Sequence, residues 1–399
     1  MRVSTATLYA TTIANLQTRQ SDLSRSQVQM TSGKRVSQLS DDPTAAAQAE
    51  RAHIAQQRIA SEQRSVEASR SAMTLAESAL GQIGDVLHSA REVMVNAGNA
   101  SYGPGERSAL TMQLQQLRGQ LLALANQHDG AGAYTFGGQG GNAAPFLDTP
   151  GGMVYAGTGG QASVSSSEQM PTAVDGQSIW LSARSGNGVY VTSAAPANTG
   201  QAWIDAGGVS NPAALTGANY DVVFSVSGGG AMVYDVLKDG LPTAVVGAAY
   251  NSGTAITVDG LSFNITGAPA AGDRFSTTPS TASLNPFAAL DRATAALQNA
   301  NATQGQTAQA VSDGLRDLDA VMSHMQSARS GAGAALSRLD SIESRDQDRT
   351  LWAKSVQSSA EDLDMVQAVS NFQNQQSGYQ AALQTYAMVQ RLSLFEYLR

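Results

Sequence analysis

Apolar positions along this 399-residue chain change period twice. From the start to about residue 130 they recur at helical spacing in three successive blocks. Tyr9, Ile13, Leu16, Gln20, Leu23, Gln27 and Met30 step by four and three, the a/d spacing of a coiled-coil seam with glutamine at two of its places. The second block opens at "SDDPTAAAQ". There Asp42 is placed to cap a helix, and Pro43 suits its first position because a proline there loses no helical hydrogen bond. Ile59, Val66, Met73, Leu80, Leu87 and Met94 then recur every seven residues, with Ala76, Ile83, Ala90 and Ala97 offset by three, until "SYGPGE" breaks the run. A third helix carries Leu110, Leu114, Leu117, Leu121, Leu124 and His128 and stops at "DGAGA".

From about 134 to 285 the pattern shortens to β-prone runs between turns: "SIWLSA", "GVYVTS", "YDVVFSVS", "MVYDVLKDG" and "AITVDGLSFNIT". Of the 39 glycines, 27 lie between Gly130 and Gly272. This spacing predicts a small β-sandwich or barrel-like domain inserted into a helical frame, with crossing points near 165 and 283.

Helical spacing returns after "STASLNPF", where Asn285 and Pro286 form a second cap and first-turn pair. Leu315, Leu318, Met322, Met325, Arg329, Ala332, Leu336 and Leu339 mark one helix. Met365, Val369, Phe372, Gln376, Tyr379, Leu383 and Tyr386 mark another, continued by Val389, Leu392 and Phe395. Both ends are thus amphipathic helices with a coiled-coil stripe, and each is the other's natural partner, or that of another copy. Gln20, Gln27 and Gln376 either sit in the seam and fix its register or lie at its edge and meet water. Terminal helices of this kind draw their stability from packing, so they are expected to order on assembly.

The fold class expected is α+β: an elongated helical coiled-coil rod formed by both termini, with a β-hairpin, plus an inserted mainly-β outer domain. Residues 1–40 and 355–399 would form terminal coiled-coil assembly segments, disordered in the monomer. Residues 41–165 and 283–354 would form the helical domain with the hairpin, and 166–282 the outer domain. The expected assembly interface is Tyr9, Ile13, Leu16, Leu23, Met30, Phe372, Tyr379, Leu383, Tyr386, Val389, Leu392, Phe395 and Leu398.

Composition narrows the function. There is no cysteine, which excludes disulfides, thiolate metal sites and a cysteine nucleophile. The formal charge is −8 with only Lys34, Lys238 and Lys354 as lysines, which disfavours nucleic acid. Between 134 and 285, three basic residues face nine acidic ones, so most of the negative charge lies in the insert. No secretory leader pattern opens the sequence and no apolar run approaches the ~18 residues of a membrane span, so no membrane partner is expected.

Candidate chemistry is sparse. His53, His88, His128 and His324 are scattered through helical blocks without metal-ligand spacing. Gly138, Gly140 and Ala143 match G-x-G-x-x-A formally, but Pro145 and Phe146 follow instead of a helix that could hold a pyrophosphate. Asp41 and Asp42 beside Pro43 read as capping groups. Asp235, Asp239, Asp259 and Asp273 read as turn residues. No catalytic residue, metal or cofactor is expected.

Several stretches resemble the flagellin superfamily of bacterial axial proteins. "MTSGKRVSQLSDDPTAAAQAE" (30–50) resembles the link between its terminal helix and its long helix. "GAYTFGGQGGNAAPF" (132–146) with "VYAG" (154–157) resembles its hairpin, and "RLDSIESR" (338–345) its late helix. The ends "MRVSTATLYATTIANLQ" and "YQAALQTYAMVQRLSLFEYLR", with "GTAITVDGLSFNITGAPAAGDRF" (253–275), are similar to a hook–filament junction member rather than to filament flagellins. This resemblance implies a non-enzymatic structural adaptor, exported unfolded by the flagellar type III apparatus to the outside of the cell. It implies a ring of its own copies between the first junction protein and flagellin. It also implies a cytoplasmic export chaperone on Val389, Leu392, Phe395 and Leu398. A filament flagellin, or an extracellular enzyme on a helical stalk, are the alternative readings.

Overall fold

The computed structural model describes residues 5–99, 101–130, 132–139, 143–160, 163–165 and 169–397. Its contacts divide the chain into two compact units, Met1–Arg64 with Ser341–Arg399, and Ser65–Asp340. The long helices α2 (Pro43–Ala97) and α6 (Gln304–Glu361) each contribute to both.

In the first unit, helix α1 (Thr5–Ser32) packs along α7 (Met365–Tyr397). Gly33, at φ 70°, ends α1 in the left-handed region that glycine reaches without steric cost. The connections on either side then meet. Arg35 N–H donates to the Glu361 carbonyl at 2.6 Å, and Leu363 N–H donates to the Gly33 carbonyl at 2.9 Å. Asp42 caps α2 as its sequence predicts, accepting from Thr44 N–H at 3.1 Å and Ala45 N–H at 3.0 Å. Those bonds, led by Ala45, pull its carboxyl down to about 2. Bonds from the Gln38 and Ser37 amides lower Asp41 as well.

In the second unit, the seven-residue repeat of α2 is the core: Val66, Met73, Leu80, Leu87, Met94, Ala76, Ile83, Ala90 and Ala97 are all buried. Leu114, Leu117 and Leu121 of α3 (Pro104–Ala125) and Leu318, Val321 and Met325 of α6 are buried too. Helix α3 ends before His128, whose ring instead packs on Tyr134 across an isolated bridge; the turn at Asn126 to Gly130 leaves the helical pattern sooner than the leucine spacing suggests.

A hairpin of β1 (Phe146–Thr149) and β2 (Gly152–Tyr155) follows. "SIWLSA" is not a strand: Gly176–Trp180 form one helical turn, α4, with Asp175 accepting from Gln177 N–H at its start. Packing overrides β-propensity there. The Trp180 indole is fully buried, near-parallel to Phe287 with centroids 5.5 Å apart, and edge-on to Phe136. Phe287 belongs to α5 (Pro286–Gln298), which Asn285 caps by accepting from Ala288 N–H.

The inserted β region is a sandwich. One sheet has β3 (Tyr190–Ala194), β8 (Arg274–Pro279), β4 (Tyr220–Val226) and β5 (Met232–Lys238) in that order. The other is built on β6 (Ala255–Val258) and β7 (Leu261–Thr266). Alternate residues from both share one core, including Tyr220, Val222, Phe224, Leu261, Phe263, Ile265 and Phe275. Asp239–Gly240 and Asp259–Gly260 turn two hairpins with all four residues at positive φ, the geometry whose twist suits adjoining strands. Asp235, expected at a turn, lies on β5, where its carboxylate accepts from Gly247 N–H. Asp273 is buried and accepts from the amides of Thr199, Gly200 and Ala270.

Candidate assembly interface

Helices α1 and α7 carry the residues expected to make assembly contacts. Amphipathic spacing alone gives each a single apolar stripe, and in this chain the two stripes face one another only in part. Tyr9, Leu16, Leu23, Met30, Phe372, Tyr379 and Tyr386 are half-buried, and none is fully covered. Ile13 and Leu383 are exposed, as are Val28, Val366, Val369 and Met388 along the same helices. Val389, Leu392 and Phe395 lie in α7 but outside the residues whose side chains are described, and Leu398 lies outside the described residues altogether.

The tie between the two helices is polar as well as apolar. Tyr386 donates to the Tyr9 hydroxyl at 2.8 Å, with ring centroids 5.4 Å apart. That bond holds the Tyr386 phenol above its usual range. Ser26 donates to Gln375 Oε1 at 2.7 Å. At Gly378 a Cβ would come within 2.6 Å of an Arg19 guanidinium nitrogen, so glycine gives the arginine room to lie across α7. Gln20, Gln27 and Gln376 are exposed, so in the single chain they take the edge reading and meet water. Ser26, Gln375 and Arg19 escape a search for apolar spacing because they sit beside the stripe.

Ionic contacts fasten the base of this helix pair. Lys34 Nζ lies 3.0 Å from Glu361 Oε1, and the Arg35 guanidinium donates to the Ala360 carbonyl at 2.7 Å. Among the described residues, no group of three or more His, Asp or Glu side chains is placed to hold a metal ion, and no helix is long and apolar enough to cross a membrane. The arrangement leaves apolar and polar surface uncovered along two antiparallel helices.

Residues 3–140 match the family described as the bacterial flagellin N-terminal helical region. Residues 3–140 thus carry a bacterial flagellin N-terminal helical region. The chain is 27% identical over 400 residues to flagellar hook-associated protein 3 of Salmonella typhimurium, covering 99% of each chain. The Escherichia coli protein of the same name is 26% identical over the same share. Among solved structures, the flagellar junction protein FlgL from Legionella pneumophila aligns with a TM-score of 0.71 at 27% identity, covering 79% of this chain and 100% of that one. Xanthomonas campestris FlgL aligns with a TM-score of 0.69 at 29% identity, covering 78% and 99%. The FlgL structures share the helix-rich frame and the separate mainly-β region.

Proposed function

We propose that this chain is a structural adaptor of the bacterial flagellum, joining the hook end to the filament end as a ring of its own copies. The observation that carries the proposal is the pairing of the chain ends through α1 and α7, each leaving apolar residues outward, in a chain similar from end to end to hook-associated protein 3. Two helices that cover only half of each other's stripe gain most from further copies beside them. The first junction protein would sit on one side of the ring and flagellin on the other.

On this reading the protein has no enzymatic role and acts outside the cell, reached unfolded through the flagellar export apparatus. Residues 1–40 and 355–399 order on assembly. Before export, a chaperone of the cytoplasm covers the last apolar residues, Val389, Leu392, Phe395 and Leu398. A chain without cysteine suits that route, since it cannot cross-link while unfolded.

The test is a strain lacking this chain. It should build hooks, release flagellin into the medium and fail to swim, and normal filaments would overturn the proposal. Electron microscopy of the purified protein should show no long filaments; if it polymerises alone, the chain is a filament subunit.

A further inference from the structure

In the second unit, the first turns of α6 have two faces of opposite chemistry. On one face Val311, Leu318, Val321 and Met325 are buried, and Gly314 leaves the room that the Met94 side chain of α2 fills. On the other, Gly305, Gln309, Asp313 and Arg316 step by fours and a three, the spacing of a single helical stripe. This stripe meets the β-sandwich through hydrogen bonds. Gly305 N–H donates to Gln201 Oε1 at 3.2 Å, and the neighbouring Gln306 amide donates to the Asn198 carbonyl at 3.3 Å. Gln309 accepts from the Ile204 N–H at 2.8 Å, and Arg316 Nη1 donates to the Thr192 carbonyl at 2.8 Å. Gln309 and Arg316 also share Asp313 Oδ1 as an acceptor, at 3.0 and 2.7 Å, which keeps the two donors in line. Beyond Arg316 the two bodies part: a cleft of about 520 Å³ opens between Ala320, Ser323 and Ser327 of α6 and the loop Gly186–Gly188.

We infer that the sandwich is a detachable body, which docks on α6 through this polar stripe and swings away in one piece with its core intact. The sandwich does not borrow the helix to complete that core. Among the described residues, its buried cluster and the apolar side chains packed on the cluster all lie between Tyr190 and Phe275. It joins the helical frame through Ala183–Arg184 and Ala282–Leu284, two short segments paired with one another, and these are the pivot. On opening, water takes the place of each hydrogen bond, so the net loss per bond is modest. Pulling α6 from the frame would instead expose its apolar face, whose burial water cannot replace. The helix therefore stays while the sandwich leaves. Docking is also specific in position, because each donor or acceptor on the stripe meets one particular group of the sandwich.

Native-state hydrogen exchange on the full chain, repeated in low concentrations of urea, tests this. The Ile204 amide should open at least about tenfold more often than the amides of β4, the strand inside the sheet, and with a weaker dependence on urea, because undocking uncovers little apolar surface. Two variants leave the groups bonded to Ile204 untouched: Arg316→Ala on the helix and Gln201→Ala on the sandwich. Each should speed exchange at Ile204 several-fold while β4 keeps its wild-type protection. An Ile204 amide that opens only together with β4, at the same urea slope, would overturn the inference. Unchanged exchange at Ile204 in both variants would overturn it as well. So would loss of β4 protection in both, since the sandwich would then depend on α6 to stay folded.

Discussion

Gln309 lays its amide along the main chain of Ile204, accepting from the Ile204 N–H at 2.8 Å and donating to its carbonyl at 3.3 Å. Both residues are buried, so the first turns of α6 complete the hydrogen bonding of a short strand in the sandwich. Gln309→Ala should leave both groups unpaired and destabilise the protein by about 1–3 kcal/mol. Denaturant melts would measure this, and exchange at the Ile204 amide should accelerate before that of the sandwich core.

Gly305 offers a sharper test of the same junction. A Cβ there would stand 2.5 Å from the Gln201 carbonyl carbon and 2.8 Å from its Cα, and main chain cannot step aside cheaply. Gly305→Ala should cost about 1–3 kcal/mol. At Gly331, in the same helix, a Cβ meets nothing within 4 Å, so Gly331→Ala should be neutral or stabilise by up to about 1 kcal/mol. Melting temperatures that move together in both variants would contradict this account.

Arg118 clamps the hairpin. Its guanidinium donates to Asp148 of β1 at 2.6 and 2.9 Å and to Asp291 of α5 at 3.1 Å, and lies over the Phe287 ring. Those bonds, the Asp148 one first, raise its pKa far beyond any accessible pH, so the clamp is always charged. Arg118→Ala should cost on the order of 1–3 kcal/mol. Arg118→Lys should recover only part, because an ammonium cannot make the forked contact. Proteolysis between 146 and 155 would report the freed hairpin.

Two aspartates should respond to pH with opposite signs. Asp42 lies low, at about 2, so its cap is intact above the ordinary aspartate value and is lost as pH falls toward 2. Asp313 is pushed up to about 6, chiefly by burial, against the pull of Arg316, whose Nη1 is 2.7 Å away. Its contribution is complete below about 3.8 and fades as pH rises through about 6. Asp313→Asn should therefore flatten the decline of melting temperature between pH 5 and 7, and Asp42→Asn should flatten the acid limb. A third of the Asp313 side chain still reaches solvent, which keeps its effect small.

Where one physical rule acts alone, the pattern of residues predicts the structure well. The seven-residue repeat from Ile59 to Met94 is buried as its period requires, Asp42 and Asn285 cap the helices they precede, and Asp–Gly pairs turn two hairpins. Tertiary packing hid the rest. Trp180 sits on a helical turn because its indole gains more against Phe287 than a strand would give it, and no local propensity announces that partner. Glu62 and Asp346 fall on apolar-facing positions 284 residues apart, and only folding brings both to Arg349. At the chain ends, the stripe from Tyr9 to Met30 was legible, whereas its polar ties, Ser26 to Gln375 and Arg19 to the space at Gly378, were not.

The three tryptophans fall in three different surroundings: Trp180 among phenylalanines, Trp203 half-covered at the sandwich, and Trp352 at 68% exposure on α6. Each indole emits according to the polarity around it, so the chain carries three built-in optical gauges. Acrylamide should quench Trp352 first and Trp180 last. A blue shift confined to Trp352 would then register the moment that stretch of α6 is shielded from water, without any label attached.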